Sequence, residues 1–350
     1  MSVSEDLGRG AIPADPADPG APAESAGALW RRRVQRLLAQ QWALGVLAAL
    51  IVLFSVLKPD AFLSKTNATS IAVNASSYLI IAVGMTFVIT IAGIDLGVGS
   101  VLVFAGVVSV KVMVGVGGAG LAVDLIGLAA AIAAGCLWGL LNGAVVTRTR
   151  VPPLIVTLGT LFVAIGLAQV ITDGVDITGV PASLVNTLGF GSALGVPYIV
   201  AAALGVAAVG SFVMTQTQFG RHTSAIGSNE EAARRAAINI RRHITWIYVL
   251  SGALSGLAGY VSLARFSTTT LNGHQTDMLQ AILAVVIGGT SLSGGVGRMF
   301  GTVVGVCIPA VLQSAFVILG IKPFWQNVAM GIALVIVVAI DQHRRYSTDR

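Results

Sequence analysis

Ten apolar runs dominate the chain, at residues 41–57, 70–92, 97–116, 119–146, 153–172, 195–214, 244–264, 278–292, 299–319 and 324–340. Most approach the roughly 20 residues a helix needs to cross the hydrocarbon core of a bilayer. The expected fold is therefore all-α, a polytopic transmembrane helical bundle of about ten spans. Two stretches, 70–116 and 278–319, are interrupted by glycines. Backbone freed at membrane depth must be satisfied inside protein or in a wet cleft, so broken or re-entrant segments are expected there. Pro152 and Pro153 open one run, where a missing donor costs nothing, and Pro309 falls within another, where a kink is expected.

Polar segments divide the apolar ones. Residues 1–40 combine an Ala-, Pro-, Asp- and Gly-rich opening with the basic cluster Arg31, Arg32, Arg33 and Arg36, and are expected to be a disordered cytosolic tail with a basic juxtamembrane segment. No signal peptide is expected, because no charged-then-apolar opening ends in a small-residue cleavage site. The transmembrane domain covers 41–342, interrupted by a polar loop at 215–243, and 343–350 form a short C-terminal tail. With the N-terminus inside, 16 of the 21 Lys and Arg residues fall on the inner side, leaving Lys58, Lys65, Lys111, Arg265 and Lys322 outside. That bias places both termini in the cytoplasm of a multi-pass membrane protein. The outer loop 173–194 carries Asp173 and Asp176 and reads as a solvated connector.

Composition narrows the function classes. A mean hydropathy of +0.86, 55% hydrophobic residues and only 10% charged residues exclude a soluble domain. The net charge of +6 lacks the basic stripe interleaved with aromatics that nucleic acid would need, and it reads as a topology signal. Cys136 and Cys307 lie in apolar runs and are expected to pack, with neither a disulfide nor a metal site. No phosphate-cradling Gly-rich Lys loop is present, so any ATP is bound by a partner and the chain needs no cofactor of its own.

Candidate chemistry is sparse. GIDLGVGS (93–100) sets Asp95 in a long apolar tract, where a carboxylate must face a cavity, find a partner or end a helix. Asn74, Thr90, Asn142 and Gln280 are further polar side chains in or near spans, each able to hydrogen-bond a hydroxyl of a ligand or to tie helices together. Asp95, with Asp124, is the only titratable group expected at membrane depth, and no intramembrane histidine is expected. VITIAGIDLGVGS (88–100) superposes without gaps on AVVIGGTSLSGGV (284–296), a short internal repeat. In the polar loop, SNEEAARRAAINI reads as a short amphipathic helix with Asn229 as N-cap, Glu230 and Glu231 in its first turn, and Arg234 and Arg235 four residues on.

AGIDLGVGS, LGTL, GRHTSAIGSNEEAARRAAINI and LAVVIGGTSLSGGVGRMFGT, in that order over 70–340, resemble the permease subunits of bacterial ABC importers for ribose, xylose, arabinose and galactose. The resemblance implies a monosaccharide importer with several partners: a cytosolic ATP-binding subunit, an extracytoplasmic sugar-binding protein, and a second permease copy, expected as a homodimer in the membrane lipid. It also implies that Gly220, Arg221, Gly227, Glu230, Glu231 and Ala232 belong to a coupling helix seated on the ATPase; Asn74, Thr90, Asp95, Asn142 and Gln280 are candidate translocation-path residues by their polarity and position alone. The chain departs from the pattern at Gly97, where serine is common, and at Met278 and Gln280, where acids are common, which points to a polyol or an unusual sugar. Alternative readings are a branched-chain amino-acid ABC permease and, in a different class, an ion-coupled secondary transporter. An enzyme is not expected, for no nucleophile–base set is visible.

Overall fold

The computed structural model describes residues 42–346 apart from 150, 275 and 323. The tail expected at 1–40 lies outside the described residues, as do 347–350 of the expected C-terminal tail. All ten apolar runs fall on helices: α1 (Trp42–Leu57), α2 (Lys65–Thr90), α3 (Val98–Val116), α4 (Leu121–Arg148), α5 (Pro153–Thr172), α6 (Tyr198–Gln216), α9 (Ile240–Phe266), α10 (Asp277–Ile287), α11 (Met299–Ile318) and α12 (Phe324–Tyr346). Between α6 and α9 the polar loop forms α7 (Gln218–Ser228) and α8 (Glu230–Arg235). Seven of these helices are long and apolar enough to span a membrane among the described residues. The 11-residue α10 rises only about 16 Å and is a half-span.

Direction alternates along the chain. The turn between α2 and α3 reverses it: Gly84 of α2 meets Ser251 of α9, whereas Gly106 of α3 meets Gly259. α4 runs against α9, with Gly135 opposite Gly252 and Gly143 opposite Thr245. Phe54 near the end of α1 joins Phe62, Val311 and Ala315, and the start of α12 packs beside Phe316 and Gln313 at the far end of α11. Both ends of the described chain consequently lie on the face that carries α7 and α8, the polar-loop face.

Small residues hold the bundle together, as expected where lipid removes the hydrophobic drive between helices and close backbone approach must supply the attraction. α4 and α9 form the most extensive helix pair. Gly135 and Gly139, one turn apart on α4, face α9 around Gly252 and Gly256, Gly143 one turn further on meets Thr245, and a Cβ at Gly135, Gly139, Gly252 or Gly256 would overlap a carbonyl oxygen of the opposite helix. Residues 80–90 of α2 and most of α10 are buried on all sides, while α5 and α6 expose Phe162, Val170, Val209 and Phe212. The former pair forms the inner layer of the bundle.

The loop 173–197 is more than a solvated connector. It folds into a turn at Ala182–Leu184, a π turn at Val185–Gly189 and a two-residue hairpin pairing Ser192 with Pro197. Leu184 is buried beneath it. Asp176 Oδ1 accepts from Thr269 Oγ1 and from the Leu271 amide, both at 2.9 Å, clasping this loop to the segment that leads into α10. Asp124 is also a clasp, accepting from Ser183 Oγ at 2.8 Å. Cys136 and Cys307 are half-buried free thiols.

Candidate functional site: two helix breaks and the polar helices beneath them

The repeated segments are both helix breaks. α2 ends at Thr90 and α3 begins at Val98; α10 ends at Ile287 and α11 begins at Met299. Glycine punctuates both, and the second turns through positive φ at Gly289, Gly294 and Gly295. The two breaks touch, since the Gly295 amide donates to the Thr90 carbonyl at 2.8 Å and Thr86 Oγ1 lies 2.8 Å from Thr302 Oγ1.

Asp95 pins the first break. It is 4% exposed; Oδ1 accepts from the Gly97 amide at 2.9 Å and Oδ2 from Ser251 Oγ on α9 at 3.1 Å. Thr157 of α5 completes the fastening, with its Oγ1 accepting from the Leu96 amide at 3.1 Å. A carboxylate in this position satisfies backbone that the glycine break has freed. Gly97 leaves room for it: a Cβ there would stand 3.2 Å from Asp95 Oδ1 and 3.7 Å from Asn142 Nδ2.

The five expected path residues do not converge. Asp95 and Asn142 share the first break, and Thr90 lies at its entrance, bonded to the Thr86 carbonyl. Asn74 is some 16 residues, or about 24 Å, back along α2, where it accepts from Arg265 near the far face. Gln280 is buried on α10, apart from the first break. Two histidines, both outside the spans' apolar runs in sequence, are buried within the protein. His274 and Asp277 are buried at the head of α10, with His274 Nδ1 2.6 Å from Asp277 Oδ2 and Nε2 2.8 Å from Ser262 Oγ. His243 on α9 is buried 2.9 Å from Thr223 Oγ1 of α7. His274 and Met278 line a cavity of about 340 Å3 with Ser100 and Phe162. In sequence His274 stands in the polar stretch STTTLNGHQTD and carries no sign of burial.

α7 and α8 lie against the breaks. Asn229 caps α8, accepting from the Ala232 amide at 2.9 Å, and Glu230–Arg234 and Glu231–Arg235 pair at 2.7 and 3.3 Å. Those pairs are exposed and contribute about 0.3–0.5 kcal/mol each to the helix. Arg221, Glu230, Glu231 and Ala232 are exposed. Ile226, Ala233 and Ile240 form a small apolar cluster that reaches Ile91 in the first break. Gly220 and Gly227 permit close approach: a Cβ at Gly220 would overlap the Met214 carbonyl, and one at Gly227 the Thr90 carbonyl. Gly227 also lies against Gly294 and Gly295, so one residue of α7 touches both breaks.

A bundle of apolar spans with two touching breaks and an outward-facing polar helix pair is a polytopic helical membrane protein. The chain belongs to the family described as "Branched-chain amino acid transport system / permease component", matched over residues 67–338. It is 38% identical over 301 residues to the ribose import permease protein RbsC of Bacillus subtilis (strain 168), covering 84% of this chain and 90% of that protein. Against the D-allose transport system permease protein AlsC of Escherichia coli (strain K12) identity is 34% over 297 residues, 85% and 90% of the two chains. Against the L-arabinose ABC transporter permease protein AraH of Azospirillum brasilense it is 33% over 331 residues, 93% and 92%. No solved structure matches the chain.

Proposed function

We propose that the protein is the permease subunit of an ABC importer that carries a monosaccharide into the cytoplasm. The observation that carries this reading is Gly227, through which an exposed polar helix pair bears directly on both helix breaks. A partner that moves α7 and α8 moves the breaks with them, the rigid-body coupling that alternating access needs. The polar-loop face is then cytosolic and the partner a cytosolic subunit that binds and hydrolyses ATP; Arg221, Glu230 and Glu231 are the side chains presented to it. A second copy of the permease completes the pathway, and an extracytoplasmic binding protein delivers the cargo to the far face. The chain itself transports and does no covalent chemistry.

The sugar assignment is supported by relatives named for ribose, D-allose, L-arabinose and galactose transport. The family's description names branched-chain amino acids, which keeps leucine as the second reading. Uptake of labelled ribose, allose, xylose, arabinose, galactose, inositol and leucine, measured in the source strain with and without the gene, separates the two. Loss of uptake of one sugar or polyol is the expected result; loss of leucine uptake alone moves the protein to the amino-acid reading.

A further inference from the structure

A cavity of about 460 Å3 opens on the polar-loop face. Glu230, Arg234 and Arg241 stand at its mouth; Val146, Thr147 and Pro153 form its side; and it ends against Gly93 and the Tyr248 ring. Its size falls within the range of small-molecule sites. Beyond that end lies an anomaly. Tyr248 Oη and Asn142 Oδ1 are both buried without a hydrogen-bond partner. Buried polar groups are paired as a rule, and an orphan in a native protein calls for a reason. Both side chains lie against the first break and near each other: a Cβ on Gly93 would be 3.2 Å from Tyr248 Oη, one on Gly97 would be 3.7 Å from Asn142 Nδ2, and one on Gly143, the residue after Asn142, would be 3.2 Å from Tyr248 Cβ; Asn142 also lies one helical turn from Val146 in the cavity wall.

We propose that the orphaned Tyr248 hydroxyl and Asn142 amide oxygen are the directing groups of an inner subsite for a neutral polyhydroxylated sugar, entered through this cavity when the first break moves. The inference rests on the permease reading. A phenol that can donate or accept, beside an amide oxygen that accepts, matches the paired donor and acceptor hydroxyls of a sugar diol. An anion is disfavoured by the Asp95 side chain at the same locus, and a branched aliphatic side chain would leave both orphans unsatisfied. In the present conformation both atoms are shut from solvent behind the break. Gly227 against the Thr90 carbonyl is the contact through which α7 would shift that break and expose them. The subsite is thereby open to sugar only in the state in which cargo leaves.

Removing either orphan should not harm the resting protein, because an unpaired buried group costs stability. Tyr248→Phe and Asn142→Leu are therefore expected to melt at or above the wild-type temperature while uptake of the transported sugar falls at least tenfold. A transport-independent readout uses Thr147→Cys in a Cys136→Ser, Cys307→Ser background, in inside-out vesicles holding the complete transporter with ATP. D-ribose, D-allose, L-arabinose and D-galactose are each tested for slowing maleimide labelling of the introduced thiol. The transported sugar should protect it, and Tyr248→Phe should abolish the protection. Uptake within twofold of wild type in both variants, loss of uptake accompanied by a lower melting temperature, or labelling unchanged by a sugar that is transported would each overturn the subsite and leave the permease reading intact. If neither these four sugars nor xylose or inositol is taken up, the permease reading for sugars fails and the subsite with it.

Discussion

At the scale of single residues the determinants are a carboxylate and a set of missing side chains. Asp95 bonds Gly97 and Ser251 at once, so Asp95→Ala should destabilise the protein by about 1–3 kcal/mol, seen as reduced yield of monodisperse protein in detergent. Asp95→Asn keeps an acceptor toward Gly97 and should insert normally while uptake drops at least tenfold; normal uptake would reduce Asp95 to a fastening of the helix break. Gly139→Ala should cost about 1–3 kcal/mol through overlap with the Tyr248 carbonyl, whereas Gly205→Ala, with nothing within 4 Å, should be neutral by the same assay. Asp95 is conspicuous in the sequence because a charge in an apolar tract has few explanations. Tyr248 is not, since a tyrosine in a span is ordinary until its hydroxyl proves to lack a partner.

Between elements, the decisive contact is that of α7 with the two breaks. Gly227→Val should disconnect them: the protein should reach the membrane, and ATP-driven uptake should be lost, measured in vesicles containing the partner ATPase. Glu231→Arg should also abolish transport without loss of insertion. The double variant Glu231→Arg, Arg235→Glu restores the i,i+4 pair with reversed sign, so recovery of transport there would assign Glu231 to helix stability instead of the ATPase contact. The helix of α8, its Asn229 cap and both ion pairs follow from local spacing, which makes them legible in the sequence itself. Local spacing also locates both glycine-rich breaks. It cannot reveal that they touch, or that Gly227 bridges them, because hydrogen bonding between segments some 200 residues apart leaves no periodic trace.

For the whole molecule, alternation of the helices puts both described ends and α7–α8 on one face. A cysteine introduced by Ser228→Cys, exposed at the end of α7, should react with an impermeant thiol reagent in inside-out vesicles and stay unlabelled in right-side-out ones. The reverse pattern would invert the topology. The chain's hydropathy alone determined the architecture's class and nearly every helix, because a bilayer permits few solutions to backbone hydrogen bonding and each leaves a long apolar run. Charge bias set an expected orientation by the same kind of local rule. Tertiary structure alone decided that α10 is a half-span, that Asn74 and Gln280 stand apart from Asp95, that His274 is buried, and that two polar atoms beside the first break have no partner. Those outcomes depend on which glycine faces which carbonyl across the bundle, a matter of three-dimensional contact that composition and periodicity do not encode.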